Sequence, residues 1–272
     1  MRNLKITLAY DGTRFVGWQR QADGKSIQSL LEDALAKFEG APVTVHGAGR
    51  TDAGVHALGQ VASAQVSFTH DPATLHRALN ALLPDAIRVI AVADAPEGFH
   101  ARFGTRSKTY RYQLRAGEIG DPFTRAFVWQ LPETLDVDAM RAAAATLVGT
   151  HDFAAFQSTG TDVASTVRTI VRSEFRGPEG SAPHMAGSAP HMELNSRSGA
   201  DPVGPRGLLV YEVTGDSFLR HMVRAIVGTL VEIGRGRRTE DSMARLLDGG
   251  ARADAGATAP PHGLFLVRVD YD

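Results

Sequence analysis

Within its first forty residues the chain switches between two hydrophobic periods, and that switch restricts it to folds in which helices cover a sheet. Leu4, Ile6, Leu8 and Tyr10 alternate with polar or small residues, the period of a strand with one buried face, and Asp11-Gly12 closes it with turn chemistry. Ile27, Leu30, Leu31, Ala34, Leu35 and Phe38 then recur at helical spacing, with Ser26 as the cap and Gly40 as the stop. A second helix is framed by Asp71 as cap, Pro72 at its first position and Pro84 beyond its end, with Leu75, Ala78, Leu79 and Leu82 on one face. Strands are expected beside it at 60–68 and 87–92.

The alternation repeats further along. Tyr110, Tyr112 and Leu114 share one face of a predicted strand, whereas Arg111, Gln113 and Arg115 share the other. A helix over 136–148, strands over 167–175 and 208–213, a helix over 217–233 and a last strand over 264–271 complete the pattern. Each half reads as strand, helix and further strands, an α+β class with two domains, 1–105 and 106–272.

Composition narrows the chemistry. The 272 residues are 43% hydrophobic and 22% charged, an ordinary globular balance, and they include no cysteine. Disulfides, cysteine nucleophiles, thiolate zinc sites and iron–sulfur clusters are therefore excluded, and a reducing cytoplasm is the expected compartment. Charges stand where a secretory signal carries its apolar core, and no stretch approaches the ~18 consecutive apolar residues of a membrane span. Net charge is −1, but ten of the 29 Lys and Arg residues fall within residues 100–115 and 220–238. Arg102, Arg106, Lys108, Arg111 and Arg115 form the first group, and Arg220, Arg224, Arg235, Arg237 and Arg238 the second. By charge alone these are either solvated faces or an anion-binding surface. Residues 177–206 are rich in Gly, Pro, Ser and Ala and repeat Gly-Ser-Ala-Pro-His-Met. His184, His191, Met185 and Met192 there offer soft-metal ligands, yet a repetitive flexible insertion or a segment foreign to the natural chain explains them, and they are assigned no function.

The most unusual stretch is His46-Gly-Ala-Gly-Arg50-Thr51-Asp52-Ala-Gly-Val-His56-Ala57, in which small residues surround one carboxylate and one guanidinium. Its glycine spacing matches neither the dinucleotide fingerprint nor a P-loop, so a nucleotide cofactor is not expected. An Asp in such a loop is either a turn-former or a catalyst. His46, His56, His151 and His221 are too scattered for a metal-ligand spacing, and loop or capping hydrogen bonds account for them. No metal or other cofactor is expected.

The stretch containing Gly49 to Ala57 resembles the signature loop of the TruA family of tRNA pseudouridine synthases. Further family-like segments follow in order: Tyr10-Asp-Gly-Thr-Arg-Phe-Val-Gly-Trp-Gln-Arg-Gln21, Ser26-Ile-Gln, Ala78-Leu-Asn80 with Leu83-Pro84, Phe99-His-Ala-Arg-Phe103, Lys108-Thr-Tyr-Arg-Tyr112, Gly149-Thr-His-Asp-Phe153, Phe218-Leu-Arg-His-Met-Val-Arg224 and Gly263-Leu264. The resemblance implies the pseudouridine synthase fold, two α/β-sandwich-like domains whose mostly antiparallel sheets join around a central basic cleft. It implies a cytoplasmic isomerase, homodimeric, acting on uridines 38 to 40 of the tRNA anticodon stem-loop.

The implied reaction breaks uridine's N1–C1′ bond, turns the uracil and bonds C5 to C1′. It needs no redox step, but it does need a carboxylate such as those of glycosyl chemistry. By resemblance Asp52 is that group, whether it attacks the sugar or the base or assists elimination. Tyr110 matches the tyrosine that stacks on the flipped base and assists proton removal from C5; its other explanation is core packing beside Tyr112, itself a packing residue. Arg224 resembles the arginine that pairs with the aspartate, keeping it ionised and fixing its rotamer. Arg220, one helical turn before it, is read as a phosphate contact or a plain surface arginine. Arg50 resembles the base-flipping arginine, with anchoring of its own loop as the other reading. Lys108 and Arg111 complete the expected RNA contacts. Two rivals use the same residues: a non-catalytic tRNA-binding module or RNA folding helper in which Asp52 serves only its loop, and a glycosidase that releases free uracil.

Overall fold

The computed structural model describes residues 1–117, 120, 122–158, 163–176 and 208–272. The repetitive stretch 177–206 and its His and Met residues lie outside the described residues.

Strand β1 (Arg2–Tyr10) leads to α1 (Ile27–Glu39), whose cap is Ser26. The Ser26 side chain accepts from the Ser29 amide, and Ser29 bonds back to the cap, reciprocal contacts worth ~1 kcal/mol. Strands β2 (Val45–Gly47) and β3 (His56–Val66) flank the small-residue loop. Helix α2 (Pro72–Leu82) follows, capped by Asp71 through the Thr74 amide, and then β4 (Ile87–Ala95). The second half contains β5 (Thr105–Ala116), β6 (Trp129–Leu131), α3 (Val137–Ala145), β7 (Gly149–Asp152), β8 (Val167–Arg176), β9 (Leu208–Gly215), α4 (Met222–Gly234), α5 (Ser242–Leu247) and β10 (Leu264–Tyr271).

The strands form one sheet in the order β4-β1-β3-β10-β5-β9-β8-β7, with β2 paired to β3 and β6 to β5. Pairing is antiparallel except for β3–β10 and β5–β6. The last strand thus inserts between the two halves of the chain and makes their sheets continuous. Its register has a functional consequence. Leu266 lies opposite both Ala57 of β3 and Tyr110 of β5. At ~4.8 Å between neighbouring strands, the end of the small-residue loop and Tyr110 stand in one row, two strand spacings apart.

Helix α4 departs from its sequence expectation. Its apolar stripe of Met222, Val223, Ile226, Val227 and Leu230 is buried as the periodicity requires, but the helix begins at Met222 and not near Ser217. Phe218 instead packs edge-on against Tyr110, ring centroids 5.0 Å apart, and His221 takes a left-handed φ of 63° that breaks the helical run. Arg220 consequently lies outside the helix, and the one-turn spacing expected between it and Arg224 does not apply. The remaining unforeseen elements, β2, β6, β7 and α5, are all short.

Candidate active site

The loop between β2 and β3 is held from below by the segment that follows β1. The Trp18 amide donates to the Thr51 carbonyl at 3.0 Å, and the Tyr10 hydroxyl pairs with Thr51 Oγ1 at 2.8 Å. That approach needs Gly17: its φ is +103°, and a Cβ there would stand 2.5 Å from the Thr51 carbonyl oxygen. His56 closes the other end, its Nδ1 accepting from the Gly12 amide at 3.0 Å and its Nε2 donating to the His262 carbonyl at 3.1 Å. Burial lowers its pKa, consistent with a neutral structural ring, the loop role expected of it. With Thr51 and His56 fixed on either side of it, the Asp52 side chain is left 28% exposed.

Arg224 meets it from α4. Nη1 donates to Asp52 Oδ2 at 3.0 Å while Nε donates to the Ala259 carbonyl at 2.8 Å, so both ends of the guanidinium fork are engaged. The Ala259 carbonyl is itself fixed. Its residue's amide donates to the Arg224 carbonyl at 3.0 Å, and the next carbonyl, that of Pro260, accepts from the Tyr112 hydroxyl at 2.7 Å. The segment can lie this close to α4 because residue 228 is glycine; a Cβ there would stand 1.7 Å from the Ala257 carbonyl oxygen. Tyr112 is thus the packing residue expected, with its hydroxyl anchoring the segment that orients Arg224.

The sequence reading missed His221. Its Nε2 stands 3.4 Å from Asp52 Oδ2, on the same oxygen that Arg224 contacts. A left-handed φ on a histidine costs on the order of 1–3 kcal/mol, which packing around it must offset. Burial lowers its pKa; Asp52 pulls the other way, while Arg224, Arg220 and Arg252 reinforce burial. No spacing marked it, because the left-handed break at His221 takes it off the helical face it would otherwise share with Arg224. Arg252, also unforeseen, belongs to the same electrostatic group and is held by the Gly256 carbonyl at 3.0 Å and Thr258 Oγ1 at 2.8 Å.

Tyr110 is buried, and burial pushes its hydroxyl pKa well above the ordinary tyrosine range, with Tyr10 and Asp52 adding to the effect. It is therefore a neutral phenol at physiological pH. Lys108, two residues earlier on the same strand face, is only 9% exposed. A methyl group on Gly49 would lie 3.5 Å from its Cε and 3.8 Å from the Tyr110 hydroxyl, so both side chains reach the Asp52 loop. Lys108 makes no ion pair with any described residue; burial and Arg102 lower its pKa, with Asp216 opposing.

Three expected contacts are placed differently from one another. Arg50 is exposed, its Nε donating to Gln19 Oε1 at 3.0 Å, and Arg220 is exposed just before α4, near His221. Arg111 is not brought to the site. It points to the opposite sheet face and donates twice to Glu212, a carboxylate 3% exposed that Arg172 and Arg176 also contact. Register explains this, because Arg111 lies directly across from Glu212 on β9. Among the described residues, no cluster of His, Asp and Glu has the makings of a metal site, and no helix is long and apolar enough to cross a membrane.

Comparison with known proteins follows the same residues. A family model described as tRNA pseudouridine synthase matches residues 6–104 and 143–272. Curated proteins named tRNA pseudouridine synthase A align along the entire chain. One from Nitratidesulfovibrio vulgaris is 44% identical over 280 residues, covering 100% of both chains. One from Solidesulfovibrio magneticus is 44% identical over 277 residues, 100% of this chain and 92% of its own, and one from Citrifermentans bemidjiense is 40% identical over 272 residues, 100% and 98%.

Proposed function

The chain belongs to the tRNA pseudouridine synthase family, and from that membership we propose that it converts uridine to pseudouridine at positions 38, 39 and 40 of the tRNA anticodon stem-loop, with Asp52 as the nucleophile. The observation that carries the reading is the Asp52 carboxylate, part-exposed and oriented by a doubly bonded Arg224. A carboxylate fixed in one rotamer meets its target, on the sugar or on the base, without first losing conformational freedom.

The reaction is an isomerisation, so its atoms balance without a co-reactant. The N1–C1′ bond breaks, the uracil turns in place, C5 bonds to C1′, and the C5 proton leaves while a proton returns to N1. Tyr110 supplies the stacking surface for the extruded base. As a neutral phenol with its hydroxyl facing the loop, it holds a proton near the base at every physiological pH. Arg50 fills the space that the extruded base vacates. Lys108 and Arg220 hold phosphates flanking it, with Arg252 adding positive charge on the α4 side. We place the reaction in the cytoplasm, on a homodimer in which one tRNA touches both subunits.

Unmodified tRNA tritiated at uridine C5 tests this. Tritium release with pseudouridine mapped to 38–40, abolished by Asp52→Ala and with tRNA binding kept in Asp52→Asn, is the expected outcome. Free uracil as the product marks a glycosidase instead, and unchanged cellular and biochemical effects in Asp52→Asn mark a binding module.

A further inference from the structure

We propose that the stacked rings of His46, His100 and Phe103 form a second RNA contact beside the Asp52 loop, a platform on which one unpaired base of the substrate stacks against Phe103 with its phosphate toward Arg102. This rests on the RNA reading above and adds a contact that the Asp52 chemistry does not use.

The three rings form a ladder. His46 and His100 stack with centroids 4.7 Å apart and an interplanar angle of 30°, and His100 and Phe103 follow at 4.4 Å and 34°. Phe103 ends the ladder 80% exposed, so its outer ring face is open to a partner. The ladder is also built in place. Ala101, fully buried between His100 and Arg102, donates its amide to Ser63 Oγ at 3.1 Å. Its carbonyl accepts from Thr105 Oγ1 at 2.9 Å and the Tyr271 hydroxyl at 2.6 Å. Ser63 in turn lies across from His46 in the β2–β3 pair, so His46 and the segment after His100 rest on one strand. His100 Nδ1 accepts from the amides of Arg102 at 3.1 Å and Phe103 at 3.4 Å, which sets the ring's orientation and leaves that nitrogen unprotonated. Rings fixed this way stack on a partner with little further loss of side-chain entropy.

Charge selects the partner. The Arg102 guanidinium lies 5.9 Å from the Phe103 ring centroid and makes no ion pair with any described residue, and it acts electrostatically on the equally unpaired Lys108. An apolar protein surface covering Phe103 would leave these cations uncompensated. An unpaired nucleotide satisfies both features, since its base offers a π-face and its phosphate a negative charge. The position adjoins the Asp52 loop: His46 opens that loop, and Lys108 reaches Gly49 within it.

Fluorescence anisotropy with unmodified tRNA, alongside single-turnover tritium release, tests the platform. Phe103→Ala is expected to weaken tRNA binding roughly 5- to 150-fold, the range into which ~1–3 kcal/mol per stacked base converts. Phe103→Trp restores it, because the stacking face returns. The slope of log Kd against log salt is unchanged in Phe103→Ala but falls by about one in Arg102→Ala, which separates stacking from phosphate contact. Because the Phe103 side chain is exposed, its replacement leaves the fold intact, checked by an unchanged Tm. A wild type that modifies tRNA while Phe103→Ala and the His100→Ala/Phe103→Ala pair bind it as tightly overturns the platform and leaves the isomerase reading standing. A wild type that neither binds nor modifies tRNA overturns both.

Discussion

Replacing Arg224 with lysine isolates orientation from charge. The arginine uses two separate nitrogens, Nε on the Ala259 carbonyl and Nη1 on Asp52 Oδ2, and its side chain is 14% exposed. Lysine keeps the positive charge but presents a single ammonium on a flexible stem, so it can satisfy either the carbonyl or the carboxylate in one rotamer and not both. The substitution therefore removes one charge-assisted hydrogen bond, worth ~1.5–3 kcal/mol, and frees the Asp52 rotamer. If that energy is expressed in the transition state, the single-turnover rate falls about 10- to 150-fold. Substrate affinity should change far less, because the pair faces Asp52 and not the RNA backbone. Tritium release with enzyme in excess over tRNA measures the first quantity and anisotropy the second. A lysine variant within twofold of wild type in rate refutes the argument that the fork geometry, as opposed to the charge, orients Asp52; an equal fall in affinity and rate assigns Arg224 to binding.

Further consequences are separately measurable. Arg111→Met should cost about 1–3 kcal/mol in urea denaturation by removing a partner of buried Glu212, while tRNA affinity and its salt slope stay as in wild type. Gly228→Ala drives a methyl group into the Ala257 carbonyl and should cost at least ~1–3 kcal/mol, with a loss of rate greater than its loss of affinity because the displaced segment orients Arg224. Burial raises the pKa of Tyr10, pushed up to about 12, and of Tyr110. The unfolded chain ionises first, so stability is full below pH ~10 and falls above it by up to ~1.4 kcal/mol per pH unit per tyrosine, a slope that Tyr10→Phe should reduce. Burial lowers the pKa of His56 and His221, so the opposite limb appears as pH drops below ~6.5, where the unfolded chain takes up protons first; His221→Asn should flatten it.

The elements with long periods were legible from residues alone. Helix α2 lies between its Asp71 cap and Pro84 as expected, and the last strand occupies 264–271. Local chemistry decides such cases, because capping side chains, proline and hydrophobic period act within a few residues. The order of charge and small residues in the loop of Asp52 was equally plain, whereas Tyr110 and Arg224 became candidates only through the family resemblance. Short elements such as β2 and β7 were not, since three or four residues carry no period.

What sequence alone determined is the class of fold, most of the helices and strands that build it, and the candidate residues for the site. Only the tertiary structure decided which of them meet. Asp52 and Arg224 stand 172 positions apart in sequence yet 3.0 Å apart in space, a contact set by the β10 insertion and by a glycine that lets a loop lie on α4. The same assembly turned Arg111 to the far face and brought His221, which has no distinguishing sequence spacing of its own, against the carboxylate. Strand register and close packing are long-range quantities: a shift of one residue exchanges the two faces of a strand, and no local pattern records which strand will lie beside it.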